Sequence, residues 1–163
     1  MTRHVRACIG LGANLGDAAG TLQRAFEALD ACEGIALLNA SRLYRTPAWG
    51  REDQPDFINA AALVDTTLAP RALLAQLLAV EAVFGRQRAD GERWGPRTLD
   101  LDLLLYGDAV VDEPGLRVPH PHLHERAFAL VPLLEVLPEA RIPGYGDARD
   151  AVSALEMSNI HPL

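Results

Sequence analysis

Hydrophobic positions change their period from segment to segment along the chain, and these changes predict the order of strands and helices. Strand-forming residues from Val5 to Leu11 lead into a turn rich in glycine and asparagine, which predicts a strand that enters a tight loop. Asp17 can cap the helix that follows. Its apolar residues recur at helical spacing on one face, and they are Leu22, Ala25, Phe26 and Leu29. The chain therefore opens with a strand and a helix.

The middle of the chain predicts three more strands, one more helix and two long loops. The strands are expected over Ile35–Tyr44, Phe57–Asp65 and Leu99–Tyr106, and the loops over Arg45–Asp56 and Gly85–Pro96. Pro70 suits the first position of a helix. The apolar stripe of that helix is Leu73, Leu77, Val80 and Phe84. Loops of this length in a small domain are more often functional than idle.

The order βαββαβ predicts an α+β fold in which helices cover one face of an antiparallel sheet, the ferredoxin-like arrangement. Beyond this core, the pattern predicts a small hairpin over Asp108–Val111, a third helix over Glu125–Leu134 bent near Pro132, and a short C-terminal helix over Ala148–Leu155. The chain has 163 residues and neither a repeat nor a linker. We therefore expect a single domain spanning residues 1–163.

Composition and charge limit the partners that the chain can bind. Hydrophobic residues make up 49% and charged residues 23%, which is typical of a soluble globular protein. The net charge of −7 argues against a nucleic acid or an anionic membrane as partner. All 15 basic residues are Arg, which excludes a Walker-type lysine and a Schiff-base lysine. Phosphate must then be bound by Arg or by metal ions.

The cysteines and the N-terminal segment predict a cytoplasmic protein. Cys8 and Cys32 lie in apolar contexts without the spacing of a metal site, so we interpret both as reduced. The apolar stretch after Val5 is interrupted by Gly10 and Gly12 and is too short for a signal peptide or a membrane span. We therefore expect a reducing compartment and no export.

Two aspartates in the fourth predicted strand indicate a metal site. Asp100 and Asp102 alternate with leucines, so in a strand both carboxylates project from one face, about 6.6–6.8 Å apart. Carboxylates this close repel each other unless a cation lies between them, which makes the pair a natural Mg²⁺ platform. A solvated polar face is the simpler alternative for this spacing alone.

An arginine-rich loop precedes the aspartate pair in an otherwise acidic chain. Its members are Arg86, Arg88, Arg93 and Arg97. Guanidinium groups bind phosphate oxygens in pairs, and a metal held by the aspartates would bind the same phosphates from the other side. The stretch therefore predicts a polyphosphate site on a loop whose glycines allow it to move. Pairing of these arginines with acids of their own loop is the alternative.

Five motifs, in order along the chain, resemble those of a known enzyme family. Residues 95–102 (GPRTLDLD), preceded by Arg93 and Trp94, are similar to the signature of the 6-hydroxymethyl-7,8-dihydropterin pyrophosphokinases of folate biosynthesis. The other motifs are residues 10–16 (GLGANLG), 44–47 (YRTP), 53–59 (DQPDFIN), and 118–121 (VPHP) followed by residues 126–128 (RAF). The resemblance covers nearly the whole chain.

The resemblance implies that a diphosphate is transferred from Mg-ATP to the hydroxymethyl oxygen of a reduced pterin, with release of AMP. Asp100 and Asp102 would hold two Mg²⁺ ions on the triphosphate, and Arg86 and Arg97 would share in catalysis. The residues expected to bind ATP are Glu81, Arg88, Trp94, Arg97, His120 and Arg126 at matching positions, with Arg117 as a substitute. Arg117 lies near Gly115, where some relatives carry an Arg. ATP and the pterin would be the partners of a monomeric enzyme.

The resemblance also implies a pterin site. Phe57 and Phe128 match a pair of stacking rings, although each ring alone would suit a hydrophobic core. The remaining matching positions are Asn14, Thr46, Pro47, Trp49 and Asn59. In a strand, Phe57 and Asn59 share a face, so a ring and an amide can serve one ligand.

Other readings of the same residues stay open. His120, His122 and His124 alternate as metal ligands on a strand would, but Pro119 and Pro121 argue against a strand there. Paired aspartates on a sheet of this type also support a nucleotidyltransferase or a cyclase, which would release pyrophosphate. A sensing domain without catalysis is a second alternative, and it would bind nucleotide without needing Mg²⁺.

Overall fold

A six-stranded antiparallel sheet forms the centre of the computed structural model, which describes residues 3–47, 55–85 and 98–163. The strands of this sheet are β1 (Val5–Ala13), β2 (Ile35–Ala40), β3 (Tyr44–Thr46), β4 (Phe57–Thr66), β5 (Asp100–Tyr106) and β10 (His161–Pro162). Their order is β10-β3-β4-β1-β5, and β2 also pairs with β4. Every pairing in this sheet is antiparallel. The sheet confirms the predicted α+β class.

Helices cover both faces of the sheet. The helices are α1 (Ala18–Ala31), α2 (Pro70–Val83), α3 (Ala127–Val136) and α4 (Ala148–Ser153). α1 and α2 pack on the face that carries Ile9 and Leu101, whereas α3 and α4 pack on the face that carries Cys8 and Ala61. The expectation of helices on one face therefore holds only for α1 and α2. The nearly unbroken apolar run in β4 reflects this burial on both sides.

The predicted strand over Ile35–Tyr44 is in fact two strands, because a side chain interrupts the ladder at Ser41. The Ala61 N–H donates to Ser41 Oγ at 2.8 Å, while the Ser41 N–H donates to the Ala61 carbonyl at 2.9 Å. After this break the chain pairs again with β4, with Tyr44 opposite Asn59 and Thr46 opposite Phe57. The predicted loop therefore begins after Thr46 and not at Arg45.

The predicted hairpin at Asp108–Val111 lies a few residues later. The hairpin strands are β6 (Val111–Glu113) and β7 (Leu116–Val118), and residues 107–108 form only a turn. Gly115 adopts φ +77° between them, a left-handed conformation that costs glycine little. A second small hairpin consists of β8 (Arg141–Ile142) and β9 (Gly146–Asp147).

The helix termini agree only in part with those predicted from the sequence. Asp17 caps α1 as predicted, since its Oδ1 accepts a hydrogen bond of 3.0 Å from the Gly20 N–H. The third predicted helix begins as a 3₁₀ turn over Leu123–Glu125, and α3 starts at Ala127 because Arg126 is extended. α3 contains Pro132, and α4 ends at Ser153. Within the described ranges, no helix is both long and apolar enough to cross a membrane.

Candidate active site

The predicted metal-binding and pterin-binding residues meet on one face of the sheet, on either side of β1. Gly12 lies opposite Asn59 of β4 and, on its other side, opposite Asp100 of β5. Gly10 lies in the same way between Ala61 and Asp102. Residues directly opposite each other in neighbouring strands project to the same face. Two interstrand spacings, about 9–10 Å, therefore separate the backbone of Asn59 from that of Asp100.

Gly12 keeps the space between these two side chains open. A Cβ atom at this position would lie 3.2 Å from Asn59 Oδ1 and would force the amide to shift. Since β1 crosses beneath the site, a larger residue here would stand between the amide and the carboxylate. Within the glycine-rich motif of residues 10–16, Gly12 is thus important because it has no side chain. The sequence pattern did not predict this role.

The aspartate pair has the geometry that its alternation predicts. Asp100 and Asp102 are half-buried on one face, while Leu101 and Leu103 are buried in the core on the other. The described residues contain no cluster of three or more His, Cys, Asp or Glu side chains able to hold a metal. Two carboxylates suit Mg²⁺ that takes its other ligands from water and substrate phosphates. The donor set therefore fits magnesium bound together with a nucleotide.

Glu81, predicted to bind ATP, lies behind the aspartates. It is only 1% exposed, and its Oε2 accepts a hydrogen bond of 2.7 Å from the Leu101 N–H. Leu101 is the residue between the two aspartates. α2 packs on the face of the sheet opposite the two aspartates and thus contacts the backbone of β5 from there.

His120 lies close enough to Asp100 to interact with it, and its ring is uncharged at neutral pH. The backbone N–H of His120 donates to the Leu104 carbonyl at 3.0 Å. The ring atom Nδ1 accepts from the backbone N–H of His122 at 3.2 Å. Burial, with smaller contributions from Arg126 and His122, lowers the pKa of His120 to about 4, although Asp100 opposes the shift. At neutral pH the ring is therefore uncharged. Because Nδ1 accepts a hydrogen bond, the ring proton lies on Nε2, which can donate to a phosphate oxygen.

The two neighbouring histidines, His122 and His124, contact Glu125 instead. His122 Nδ1 lies 3.5 Å and His124 Nε2 lies 3.4 Å from Glu125 Oε1. The His124 ring also stacks on Tyr145, with a centroid distance of 4.9 Å. These contacts support our interpretation of both residues as polar groups near a helix start.

Arg126, predicted to bind ATP, lies beside Phe128, predicted to stack on the pterin. The Arg126 guanidinium lies 5.7 Å from the centroid of the Phe128 ring, within the range of a cation–π contact. The same guanidinium is near enough to His120 to lower the pKa of that imidazole. A cation and an aromatic ring at the start of α3 thus lie together.

The residues predicted to bind the pterin cluster at the end of β3 and the beginning of β4. Asn59 Nδ2 donates to Thr46 Oγ1 at 2.8 Å, and both residues are buried. Phe57 is half-buried opposite Thr46, and Pro47 is exposed just beyond β3. Asn14 is 2% exposed and donates to the Pro55 carbonyl at 3.3 Å, which ties the loop after β1 to the entry of β4.

Glu135 supports this region, and no local motif singles it out. Its Oε1 accepts from the Tyr44 hydroxyl at 2.6 Å, and its Oε2 accepts from the Arg42 N–H at 3.0 Å. Burial and this carboxylate raise the pKa of Tyr44 to about 12. Since Tyr44 lies opposite Asn59, Glu135 fixes α3 against the strand that carries Thr46. The sequence does not predict this contact because Glu135 and Tyr44 are far apart along the chain.

Several predicted site residues are not joined to this cluster. Arg117 lies on β7, exposed, with its Nε 3.3 Å from Asp112 Oδ1 of the neighbouring strand. The others lie outside the described residues, and they are Trp49, Arg86, Arg88, Trp94 and Arg97. The arginine-rich loop and the tryptophans therefore stay predictions.

Comparison with known proteins identifies the family of this chain. Residues 8–138 match the family model of 7,8-dihydro-6-hydroxymethylpterin-pyrophosphokinase (HPPK). The 2-amino-4-hydroxy-6-hydroxymethyldihydropteridine pyrophosphokinase of Methylorubrum extorquens is 46% identical over 155 residues, covering 95% of this chain and 96% of that protein. The protein of the same name from Pseudomonas aeruginosa is 40% identical over 158 residues, covering 97% and 96%.

Solved structures with the same fold include chains of much greater length. Wild-type Plasmodium falciparum HPPK-DHPS with pteroate superposes with a TM-score of 0.72 at 14% identity, over 94% of this chain and 43% of that one. HPPK-DHPS in complex with substrates gives 0.72 at 12% identity, over 94% and 43%. This chain thus spans less than half of the HPPK-DHPS chains. The family model and the relatives of matching length establish that the chain belongs to the HPPK family.

Proposed function

We propose that this protein transfers the diphosphate of ATP to the hydroxymethyl group of 6-hydroxymethyl-7,8-dihydropterin, releasing AMP, as a step of tetrahydrofolate biosynthesis. Its membership of the HPPK family and the names of its relatives support this activity. The observation that carries the proposal is the position of Asn59 and Asp100 on either side of Gly12, on one face of the sheet. A pterin bound at the amide would direct its hydroxymethyl group toward a nucleotide bound at the carboxylates.

Asp100 and Asp102 would hold two Mg²⁺ ions together with ATP. Bound there, the ions would neutralise the triphosphate and stabilise charge that develops on it during transfer. The pterin hydroxyl oxygen attacks the β-phosphorus, the bond from that phosphorus to the oxygen bridging to the α-phosphate breaks, and the hydroxyl proton is released. AMP leaves with the bridging oxygen. The carboxylates contribute charge and orientation, and the chain supplies no nucleophile.

His120 and Arg126 would bind the phosphates from the side of α3. The uncharged His120 ring carries its proton on Nε2 and so donates a hydrogen bond without adding positive charge. Arg126 supplies the charge and is oriented by its contact with Phe128. By resemblance, the catalytic Arg86 and Arg97 and the ATP-binding Arg88, Trp94 and Arg117 would complete the nucleotide site.

The pterin would be recognised by its edge and by its faces. The bond from Asn59 Nδ2 to Thr46 directs Asn59 Oδ1 toward Gly12, where it can accept a hydrogen bond from a pterin N–H. Phe57 and Phe128 would stack on the flat heterocycle. The other expected pterin contacts are Asn14, Pro47 and Trp49.

We also propose that β1, α1, β4, α2 and β5, with β2 and β3 together as the second strand, form a ferredoxin-like core. The antiparallel order in which β1 lies between β4 and β5 supports this assignment. We propose one domain over residues 1–163 that works as a cytoplasmic monomer, binding neither nucleic acid nor membrane. The net charge of −7 and the free thiols of Cys8 and Cys32 support it.

Product analysis tests the function directly. The full-length protein is incubated with ATP, Mg²⁺ and 6-hydroxymethyl-7,8-dihydropterin, and the nucleotides and pterins are separated by chromatography. We expect AMP and the pterin diphosphate in equal amounts, and neither when the pterin or Mg²⁺ is omitted. Release of free pyrophosphate would instead indicate a nucleotidyltransferase or cyclase. Mg²⁺-independent ATP binding without turnover would indicate a sensing domain.

A further inference from the structure

Glu81 is a buried acid at the back of the aspartate pair. It shares the buried face of α2 with the apolar residues Leu73, Leu77 and Val80. A carboxylate buried among apolar side chains is costly unless it is hydrogen-bonded. The 2.7 Å bond from the Leu101 N–H to Glu81 Oε2 supplies such a partner.

The position of that bond along β5 matters. β5 is the last strand in the order β10-β3-β4-β1-β5, so among the described residues one of its sides has no neighbouring strand. Backbone groups along such a side need other partners. Glu81 provides one at Leu101, the residue directly between Asp100 and Asp102. The Glu81 carboxylate thus accepts the hydrogen bond that a carbonyl of a further strand would otherwise accept from Leu101.

We infer that Glu81 is a positioning residue for the metal-binding aspartates, acting through the Leu101 backbone and not through contact with ATP. Holding the central amide fixes β5 at the point from which both carboxylates project. Loss of the bond would let this part of the edge strand move and would spread the two carboxylates over a wider range of positions. The inference rests on the proposed function in one respect, namely that Asp100 and Asp102 bind Mg-ATP.

Three variants separate this role from the alternatives. Glu81→Met keeps the size of the side chain and its suitability for a buried helix face, but it removes the strong acceptor. Glu81→Gln keeps an amide oxygen for the Leu101 N–H. Leu77→Ala truncates a fully buried residue on the same face, one turn earlier, and leaves the bond intact.

We expect the metal dependence to change only where the acceptor is lost. Groups that orient metal ligands typically change metal affinity or activity by 10–100-fold when mutated. In Glu81→Met, the Mg²⁺ concentration for half-maximal rate at saturating ATP should rise by roughly this factor, while the Kd for the pterin stays within about twofold. Glu81→Gln should return the Mg²⁺ requirement close to that of the wild type, and Leu77→Ala should leave it unchanged.

Hydrogen exchange gives a readout independent of activity. The Leu101 amide should exchange faster in Glu81→Met than in the wild type and in Glu81→Gln, measured by NMR on the full chain. An unchanged Mg²⁺ requirement in Glu81→Met, or an equal rise in Leu77→Ala, would overturn the inference. So would a raised KM for ATP at saturating Mg²⁺ in both Glu81 variants, which would indicate direct contact with the nucleotide. Failure of the proposed function would already appear in the wild type, as absent AMP formation, and would overturn both.

Discussion

Asn59 and Asp100 face the same space because each lies directly opposite Gly12, one from β4 and the other from β5. The amide that would recognise the pterin and a carboxylate that would hold the metal are thereby fixed by backbone pairing on both sides of one residue. A sheet transmits this spacing rigidly, since the register of each pair is set by the hydrogen-bond ladder. The spacing between the backbones of Asn59 and Asp100 is therefore set by the sheet and not by the loops.

A methyl group at Gly12 should weaken pterin binding selectively. In Gly12→Ala, the new Cβ would lie 3.2 Å from Asn59 Oδ1 and displace the amide. We expect the Kd for the pterin to rise roughly tenfold, the scale of one hydrogen bond worth about 1–1.5 kcal/mol. ATP affinity should stay unchanged. Gly10→Ala is the matched control, because the atoms nearest to its Cβ would be those of the Leu104 side chain, at 3.3–3.4 Å, and not the Asn59 amide. Equal pterin affinities for Gly12→Ala and wild type, by calorimetry, would contradict the role.

Removing one charge of the aspartate pair should abolish most of the turnover without unfolding the protein. Asp102→Asn keeps the shape of a half-buried side chain but removes an anionic metal ligand. We expect kcat to fall roughly 100-fold or more, because metal stabilisation of the transferring group is worth several kcal/mol. Circular dichroism should be unchanged. Asp108→Asn, at an exposed turn after β5, should keep near-wild-type rates. A similar kcat for both variants would disprove the metal assignment.

The depressed pKa of His120 should make the ligand-free protein less stable in acid. The folded-state pKa is about 4, below the usual 6.5, so between these pH values the unfolded chain binds a proton that the folded chain does not. Stability is therefore lost as the pH falls from about 6.5 towards 4. Urea unfolding of wild type and His120→Gln should show a shallower decline in the variant over this range. Parallel curves would refute the buried, uncharged state.

The bond between Tyr44 and Glu135 should give the opposite dependence in alkali. The Tyr44 pKa is raised to about 12 from 10, so between these values the unfolded chain loses a proton that the folded chain keeps. The contribution is complete below pH 10 and declines as the pH rises towards 12. Tyr44→Phe should be less stable at pH 7 by about 1.5–3 kcal/mol, the cost of losing a hydrogen bond to a charged group. It should also decline less steeply above pH 10. An equally steep alkaline decline in both proteins would contradict the shift.

Much of the site follows from short-range pattern. The alternation around Leu101 predicts that Asp100 and Asp102 share a face, and the helical stripe in α2 predicts its buried side; the structure has both. The cap at Asp17 is equally local. These features depend on residues within one or two turns or pleats of each other, so the sequence specifies them directly.

The remaining features depend on which distant segments meet. Ser41 divides a predicted strand because its hydroxyl bonds to Ala61, and α3 and α4 cover the second face because β4 is apolar on both sides. The pairing of Gly12 with both Asn59 and Asp100, and the bond from Leu101 to Glu81, likewise join residues from different elements. The sequence by itself determined most of the strands and helices and the candidate site residues that they carry. Tertiary packing decided their register, because strand pairing is selected by the burial of whole faces and not by local preference.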